Sequence, residues 1–397
     1  MPWESRSVMD EKVRFISACL ERREPMGVLC DRFGVSRQTG YQLKRRYLAE
    51  GGAGLEARSR APLHHGRAMP GDLRARILDL RRKKPYYGPK KLLAILARES
   101  PDEAWPAHSS VSELLKREGL SKPRRMRRRL LSWDQPFASV EASNDAWCVD
   151  FKGWFLTRDG ARCDPFTVTD AFSRYLLGLR LMPISGEAVG PFMDEVFQEL
   201  GVPVAIRSDN GSPFGSTGAG GLTRLSARWA RLGIRLEHIH PGAPQQNGRH
   251  ERMHRTLKEQ TCSPPAANPG RQQAAFEAFR EDFNTQRPHE ALGQATPASV
   301  YVASAKPFEP PRGDPDYGDA EVRKVRSSGE IKWKGAMLYV TEALIGEAVG
   351  LSEQTNGNWL VKFADVPLGY IDRSNNKLFR FGPGRPPRTK AEPTLPL

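Results

Sequence analysis

Cysteine is sparse in this 397-residue chain, and none of it is paired. Cys19, Cys30, Cys148, Cys163 and Cys262 are scattered, odd in number and form no CxxC motif. That pattern excludes a disulfide framework and a zinc knuckle, and reads as reduced thiols of a cytoplasmic protein. Long apolar runs are missing too; nothing approaches the ~18 residues that a membrane span needs. The opening stretch MPWESRSVMDEK has an acid at position 4 and no apolar centre, so no secretory signal is expected there. What remains is a soluble composition, 39% hydrophobic and 9% aromatic, long enough for roughly two to four domains.

Negative charge is short in one part of the chain only. The net charge is +15, and residues 1–139 hold 30 Lys+Arg against 16 Asp+Glu, or +14. The remaining residues are close to neutral. A polyanion is the natural partner of such a basic third, because phosphate neutralisation releases condensed counterions. The plainer alternative is a solvated basic surface.

Residues 1–50 read as a helix-turn-helix domain. Met26, Leu29, Cys30 and Phe33 form one apolar stripe, Gly34 breaks the helix, and Ser36 is placed to cap the next one. That helix carries Arg37, Gln38 and Gln42 early and Lys44, Arg45 and Arg46 later. Amide and guanidinium groups suit base edges at the leading end of a recognition helix, and the later cations suit phosphates. An ordinary basic helical hairpin is the competing reading. Residues 51–70 look like a linker. Residues 71–121 read as a second helical, helix-turn-helix-like domain, turned at Tyr87-Gly88-Pro89, with Ser110 as cap of a helix over 111–118. In the basic linker 122–139, Lys122, Arg124, Arg125, Arg127, Arg128 and Arg129 form a self-repelling run suited to tracking a phosphate backbone.

From residue 140 the texture changes to strands alternating with helices, a mixed sheet flanked by helices over 140–303. A Pro-rich linker, 304–320, leads to short strands over 321–380 with Gly and Asn-Gly turns, read as a small β-barrel. Residues 381–397 read as a disordered tail. The fold class is therefore multidomain: all-α helix-turn-helix units, a central α/β core and a C-terminal β-barrel.

Two carboxylates interrupt apolar strands, Asp150 in Trp147-Cys148-Val149-Asp150-Phe151 and Asp209 after Ile206-Arg207-Ser208. A buried strand normally excludes an unpaired carboxylate, which costs several kcal/mol there. Placed at the carboxyl ends of adjacent strands, the two share one sheet edge. Glu251 opens a helix after the loop PGAPQQNG. Three convergent carboxylates repel unless cations lie between them, and oxygen donors of this kind suit Mg²⁺ or Mn²⁺. Taken singly each has a bland reading: Asp209 as a turn residue before Asn210-Gly211, Asp150 as an ion-pair member, Glu251 as a helix-start acid.

The ordered blocks WCVDFKGWF, TVTDAFSRYLLG, IRSDNGSPF, PGAPQQNGRHERMHRTLK and FNTQRPHEALGQATPASVY resemble the integrase-type catalytic core of bacterial insertion-sequence transposases, relatives of retroviral integrases. The resemblance covers residues 140–303 and, more loosely, 9–121. It implies a ribonuclease-H-like core whose Asp-Asp-Glu triad falls on Asp150, Asp209 and Glu251. It also implies that Lys258, two helical turns after Glu251, meets DNA phosphate. The expected chemistry is DNA strand cleavage and strand transfer by two-metal phosphoryl transfer. Asp150 would be shared between two Mg²⁺ or Mn²⁺ ions, with Asp209 and Glu251 each holding one. The implied partners are transposon terminal inverted repeats, target DNA and further copies of the chain, in a nucleoid-associated cytoplasmic setting. Asp170 matches a turn position and stays outside the triad. One departure is the glycine-rich stretch 215–224 within the 41 residues separating Asp209 from Glu251, compatible with a flexible active-site loop.

Two other functions compete. His250-Glu251-Arg252-Met253-His254 is literally HExxH, the helical zinc signature of metalloproteases. It explains neither the basic N-terminal third nor the strand-end aspartates; under the transposase reading the histidines face DNA or serve the fold. A DNA-binding regulator with a silent core is the second alternative.

Overall fold

A computed structural model describes residues 7–58, 69–121, 140–239 and 248–382. The chain divides into two compact units, Met1–Pro70 and Gly71–Leu397.

The first unit holds helices α1 (Val8–Glu21), α2 (Met26–Arg32) and α3 (Arg37–Glu50). Ser7 caps α1 in a reciprocal capping box with Asp10, and the Ser36 hydroxyl accepts the Thr39 N–H at the start of α3, satisfying donors that a helix start leaves orphaned. Phe15, Ile16, Cys19, Leu29, Cys30 and Leu43 close a small core. Gly40 is what lets α3 lie flush: a Cβ there would meet Cys30 Sγ at 2.5 Å and Phe15 at 2.9 Å. The first domain runs beyond residue 50. Gly51–Leu55 forms a 3-10 turn that buries Leu55 in the same core, because Gly51, at φ +62°, turns the chain back after α3.

The second unit begins with α4 (Gly71–Lys83), α5 (Pro89–Glu99) and α6 (His108–Arg117). Leu73, Ile77, Leu92, Ile95, Leu96, Val111 and Leu115 are buried. Ser110 lies inside α6 rather than capping it; the helix starts a turn earlier, with Ala107 as its N-cap. The basic run 122–129 lies outside the described residues.

The central sheet contains β1 (Trp147–Phe151), β4 (Pro165–Asp170), β5 (Leu176–Leu181), β6 (Ala205–Ser208) and β7 (Arg235–His238), in the order β5-β4-β1-β6-β7. A short hairpin, β2 (Phe155–Leu156) with β3 (Arg162–Cys163), projects between β1 and β4. β5, β4 and β1 run antiparallel, whereas β1, β6 and β7 run parallel, as hairpins followed by helical crossovers require. Helix α7 (Gly186–Leu200) packs Val189, Phe192, Met193 and Val196 on Trp147, Val149 and Phe166, with α8 (Arg224–Arg231) beside it. Helices α9 (Gly248–Thr261) and α10 (Pro269–Glu281) cover the opposite face through Met253, Leu257, Phe276 and Phe279. The short α11 (Pro297–Val300) follows. The Pro-rich stretch beyond it is a strap on the core rather than a free connector. The Lys306 carbonyl accepts from the Val202 N–H at 2.8 Å, and Phe308 packs on Phe197.

The C-terminal strands β8 (Glu321–Lys324), β11 (Ala348–Glu353), β12 (Trp359–Phe363), β13 (Val366–Ile371) and β14 (Leu378–Arg380) form an open antiparallel sheet ordered β14-β13-β12-β11-β8. The pair β9 (Glu330–Trp333) and β10 (Ala336–Tyr339) makes a separate hairpin. The expected barrel is thus not closed by backbone ladders among the described residues. The hairpin seals the core through side chains instead, Ile331 and Trp333 against Val349, Leu351, Val361 and Phe363.

The glycine-rich stretch 215–224 is not a loose active-site loop. Ala219 and Leu222 are buried in the C-terminal core, and the Gly220 N–H donates to the Phe381 carbonyl at 2.9 Å. Gly220, at φ +65°, has Leu368 and Val366 about where a Cβ would need room, at 3.0 and 3.1 Å.

Candidate active site

Alternation along β1 sends Trp147, Val149 and Phe151 to the α7 side and Cys148 and Asp150 to the other. Asp150 therefore lies beneath α9, and its register partner on β4 is Thr167. Asp209 follows the last residue of β6, the parallel neighbour of β1. Its Oδ1 accepts the Gly211 N–H at 3.3 Å, a turn contact that leaves its other oxygen free of that role. Glu251 lies in the first turn of α9 and is exposed.

Asp150 feels the charges of both other carboxylates. Asp150 has its pKa pushed up to about 7, by burial first and then by the charges of Asp209 and Glu251, against a lowering backbone N–H at Phe151. A group held so far above the usual carboxylate range marks a site that favours either a proton or a cation. The oxygen donors fit a hard divalent ion.

Between Asp150 and α9 is a buried polar cluster. The Thr167 hydroxyl lies 2.9 Å from the Asp150 carbonyl oxygen, 2.6 Å from His250 Nε2 and 2.8 Å from His254 Nε2. Thr169 Oγ1 is 2.9 Å from His250 Nδ1. His250 is 1% exposed, so it serves the fold and does not face DNA. Both ring nitrogens of His250 are already engaged, which takes it out of the zinc pair that HExxH implies. Burial lowers the pKa of both histidines, with His250 and Lys152 adding to the effect on His254.

Lys258 is exposed two turns along α9. It is joined by a cation that the sequence reading missed, Lys152. Lys152 lies over the Phe155 ring at 5.3 Å, and its pKa is lowered by burial and by the charge of Lys258. Its signal in the sequence was its place two residues after Asp150. Asp170 is buried and fully occupied in a turn, accepting from the Asn144 N–H and from the Ser173 N–H and hydroxyl at 2.6–2.8 Å.

On α3, Arg37, Gln38, Gln42 and Arg45 are exposed, and Lys44 is half-buried. Arg46 is drawn inward, donating from Nη2 to the Glu56 carbonyl at 2.7 Å.

Residues 140–244 and 232–297 both match the integrase core domain family. The chain carries an integrase core. Outside the core, residues 11–62 match a helix-turn-helix domain and 39–115 a homeodomain-like domain. Residues 320–378 match the C-terminal domain of the IS481 family of transposases. The uncharacterized 31.7 kDa protein of insertion element IS407 from Burkholderia multivorans is 29% identical over 248 residues, covering 60% of this chain and 85% of that protein. The uncharacterized 39.2 kDa protein of insertion element IS476 from Xanthomonas euvesicatoria is 26% identical over 249 residues, covering 60% and 69%. By these matches the chain is similar to proteins of insertion elements and, over residues 140–297, to integrase cores. Among solved structures, the catalytic core domain of BIV integrase overlays with a TM-score of 0.31 at 22% identity, covering 40% of this chain and 93% of that one. No helix among the described residues is long and apolar enough to cross a membrane.

Proposed function

We propose that this protein binds the ends of its insertion element and catalyses DNA strand cleavage and strand transfer, with Asp150, Asp209 and Glu251 as the catalytic carboxylates. The observation that carries this reading is placement: Asp150 lies on β1, Asp209 directly after its parallel neighbour β6 and Glu251 in the first turn of α9, all within the stretch that matches the integrase core. Divalent cations held by these oxygens, Mg²⁺ or Mn²⁺ and two in number, would supply Lewis-acid stabilisation of the pentacoordinate phosphorus and a nucleophile at neutral pH.

The chain's own residues contribute position and charge. Asp150, on a rigid central strand, and Asp209, one strand away, fix the metal-binding edge, and Glu251 completes it from α9. Lys258 and Lys152 form a cationic border suited to a DNA phosphate. In the first step water attacks the phosphodiester at the element end, breaking the bond to the 3′ oxygen and freeing a 3′-hydroxyl. In the second that hydroxyl attacks a target phosphodiester, whose own 3′ oxygen leaves. Base reading is assigned to Arg37, Gln38 and Gln42, and phosphate contact to Lys44, Arg45 and the run 122–129. Joining two ends calls for more than one copy of the chain.

The test is cleavage of a labelled element-end duplex in Mg²⁺ or Mn²⁺. Asp150→Asn, Asp209→Asn and Glu251→Gln should each lower the rate by at least ~10³-fold while gel-shift affinity survives. A variant that cuts at near wild-type rate removes its residue from the site. A wild type that binds the duplex but cuts it with neither ion would leave a DNA-binding regulator.

A further inference from the structure

His250 and His254 sit one turn apart on α9, and their tautomers can be deduced from heavy atoms alone. A threonine hydroxyl has one proton and two lone pairs. The Thr167 hydroxyl has three close neighbours: the Asp150 carbonyl at 2.9 Å and the two Nε2 atoms at 2.6 and 2.8 Å. A carbonyl oxygen only accepts, so the Thr167 proton points to it. Both Nε2 atoms must then donate into the hydroxyl's lone pairs, and Nε2 carries the proton on each ring.

Nδ1 is consequently the bare nitrogen of each neutral ring. In His250 it accepts from the Thr169 hydroxyl at 2.9 Å. In His254 it faces the Asp150 carboxylate, with Oδ2 at 3.9 Å. That separation is too long for an imidazolium N–H to be donating to the carboxylate. A lone pair and a carboxylate oxygen facing each other repel, and a cation between them satisfies both. Asp150, His250 and His254 all offer ligand atoms within 4.8 Å of one another, and the tautomer assignment removes His250 from that set.

We infer that His254 Nδ1 is a nitrogen ligand of the divalent cation held by Asp150, so that the site mixes nitrogen with oxygen. The inference rests on the metal-dependent reading proposed above. Its consequence is selectivity: an imidazole donor favours Mn²⁺, and later transition ions, over Mg²⁺. It also turns HExxH to a new use. One histidine locks the helix to the sheet, and the other is held in the tautomer that can bind metal.

The experiment is electron spin-echo envelope modulation of Mn²⁺ bound to the full chain, at natural abundance and with ¹⁵N-labelled histidine. Directly bound imidazole should give ¹⁴N modulation that converts to ¹⁵N on labelling and disappears in His254→Asn, whose amide can still donate to Thr167. In calorimetric titrations His254→Asn should weaken Mn²⁺ by about tenfold or more and Mg²⁺ by less than about threefold. Should His254→Asn fail to fold, the labelling experiment on the wild type decides alone. Mn²⁺ that binds, is lost in Asp150→Asn and shows no histidine nitrogen overturns the role of His254 and leaves the carboxylate site standing. Mn²⁺ binding that Asp150→Asn does not change overturns the site itself.

Discussion

On α3, Arg37, Gln38, Gln42 and Arg45 stand in water on a helix packed only along its inner face. At the end of β1, Asp150 is mostly buried, within reach of the charges of Asp209 and Glu251 and beside a cluster of hydrogen-bonded histidines. The first set costs the fold almost nothing, because a solvated side chain keeps its hydration. The second is held against its own electrostatics and is tolerable only because the surrounding sheet and helices over-determine its position. The exposed set on α3 can thus vary without endangering the fold, whereas the buried carboxylate is held in place by the packing around it.

Removing that buried charge should have the largest effect on stability. Asp150 has a folded pKa of about 7 against an ordinary 3.8. The stability tied to its protonated form is therefore full below the ordinary value and is lost as pH rises through about 7. Without divalent cations, deprotonation of Asp150 should lower the melting temperature progressively between about pH 4 and 7 and level off above that. Asp150→Asn should flatten that slope and gain about 1–3 kcal/mol at pH 8. Calorimetry with and without Mg²⁺ measures both; an Asn variant no more stable than wild type at pH 8 would erase the contrast drawn here.

An intermediate effect is expected where α4 and α5 dock on the core. The Tyr87 hydroxyl donates to Asp282 Oδ2 at 2.7 Å, Lys84 pairs with the same carboxylate, and the Arg287 guanidinium lies 5.2 Å over the Tyr87 ring. Tyr87→Phe should cost about 1–2 kcal/mol, since it leaves a charged acceptor one bond short. This helical unit then behaves as packed structure. A melting temperature unchanged by Tyr87→Phe would place it with α3 instead.

The smallest effects on folding should come from α3. Gln42→Ala and Arg45→Ala should each shift stability by under about 0.5 kcal/mol. In competition gel shifts, Gln42→Ala should lower preference for the element end, and Arg45→Ala should weaken all duplexes alike and reduce the salt slope by about one. A Gln42→Ala protein with unaltered preference would remove that residue from base reading.

How much of this could be read in the chain depended on whether the cause was local. The apolar runs around Asp150 and Asp209 exposed both strand ends, and the periodicity of 186–200 marked α7 at its observed bounds, because burial on one face writes itself into spacing. Ser36 and Gly34 declared the turn before α3 for the same reason. The polar cluster at the site was illegible: Thr167 pairs with Asp150 through the β1–β4 register, and it meets both histidines of one motif from a strand some 80 residues away. Arg46 resembled its exposed neighbour Arg45 until the chain after α3 folded back beneath it. Closure of the C-terminal strands depended on which edges pair, a matter that strand-forming composition leaves open.

The glycine-rich stretch after Asp209 also bears on how such proteins can be recombined or shortened. Family boundaries separate the core, ending near 297, from a C-terminal domain beginning at 320, which suggests interchangeable parts. Yet Ala219 and Leu222, from inside the core, help build the C-terminal hydrophobic centre. A chimaera that exchanges everything after 320 would inherit an ill-fitting plug unless 215–224 travels with it, and a truncation there would bare apolar side chains ten residues downstream of Asp209. The true seam between these modules runs through three dimensions and crosses the sequence twice.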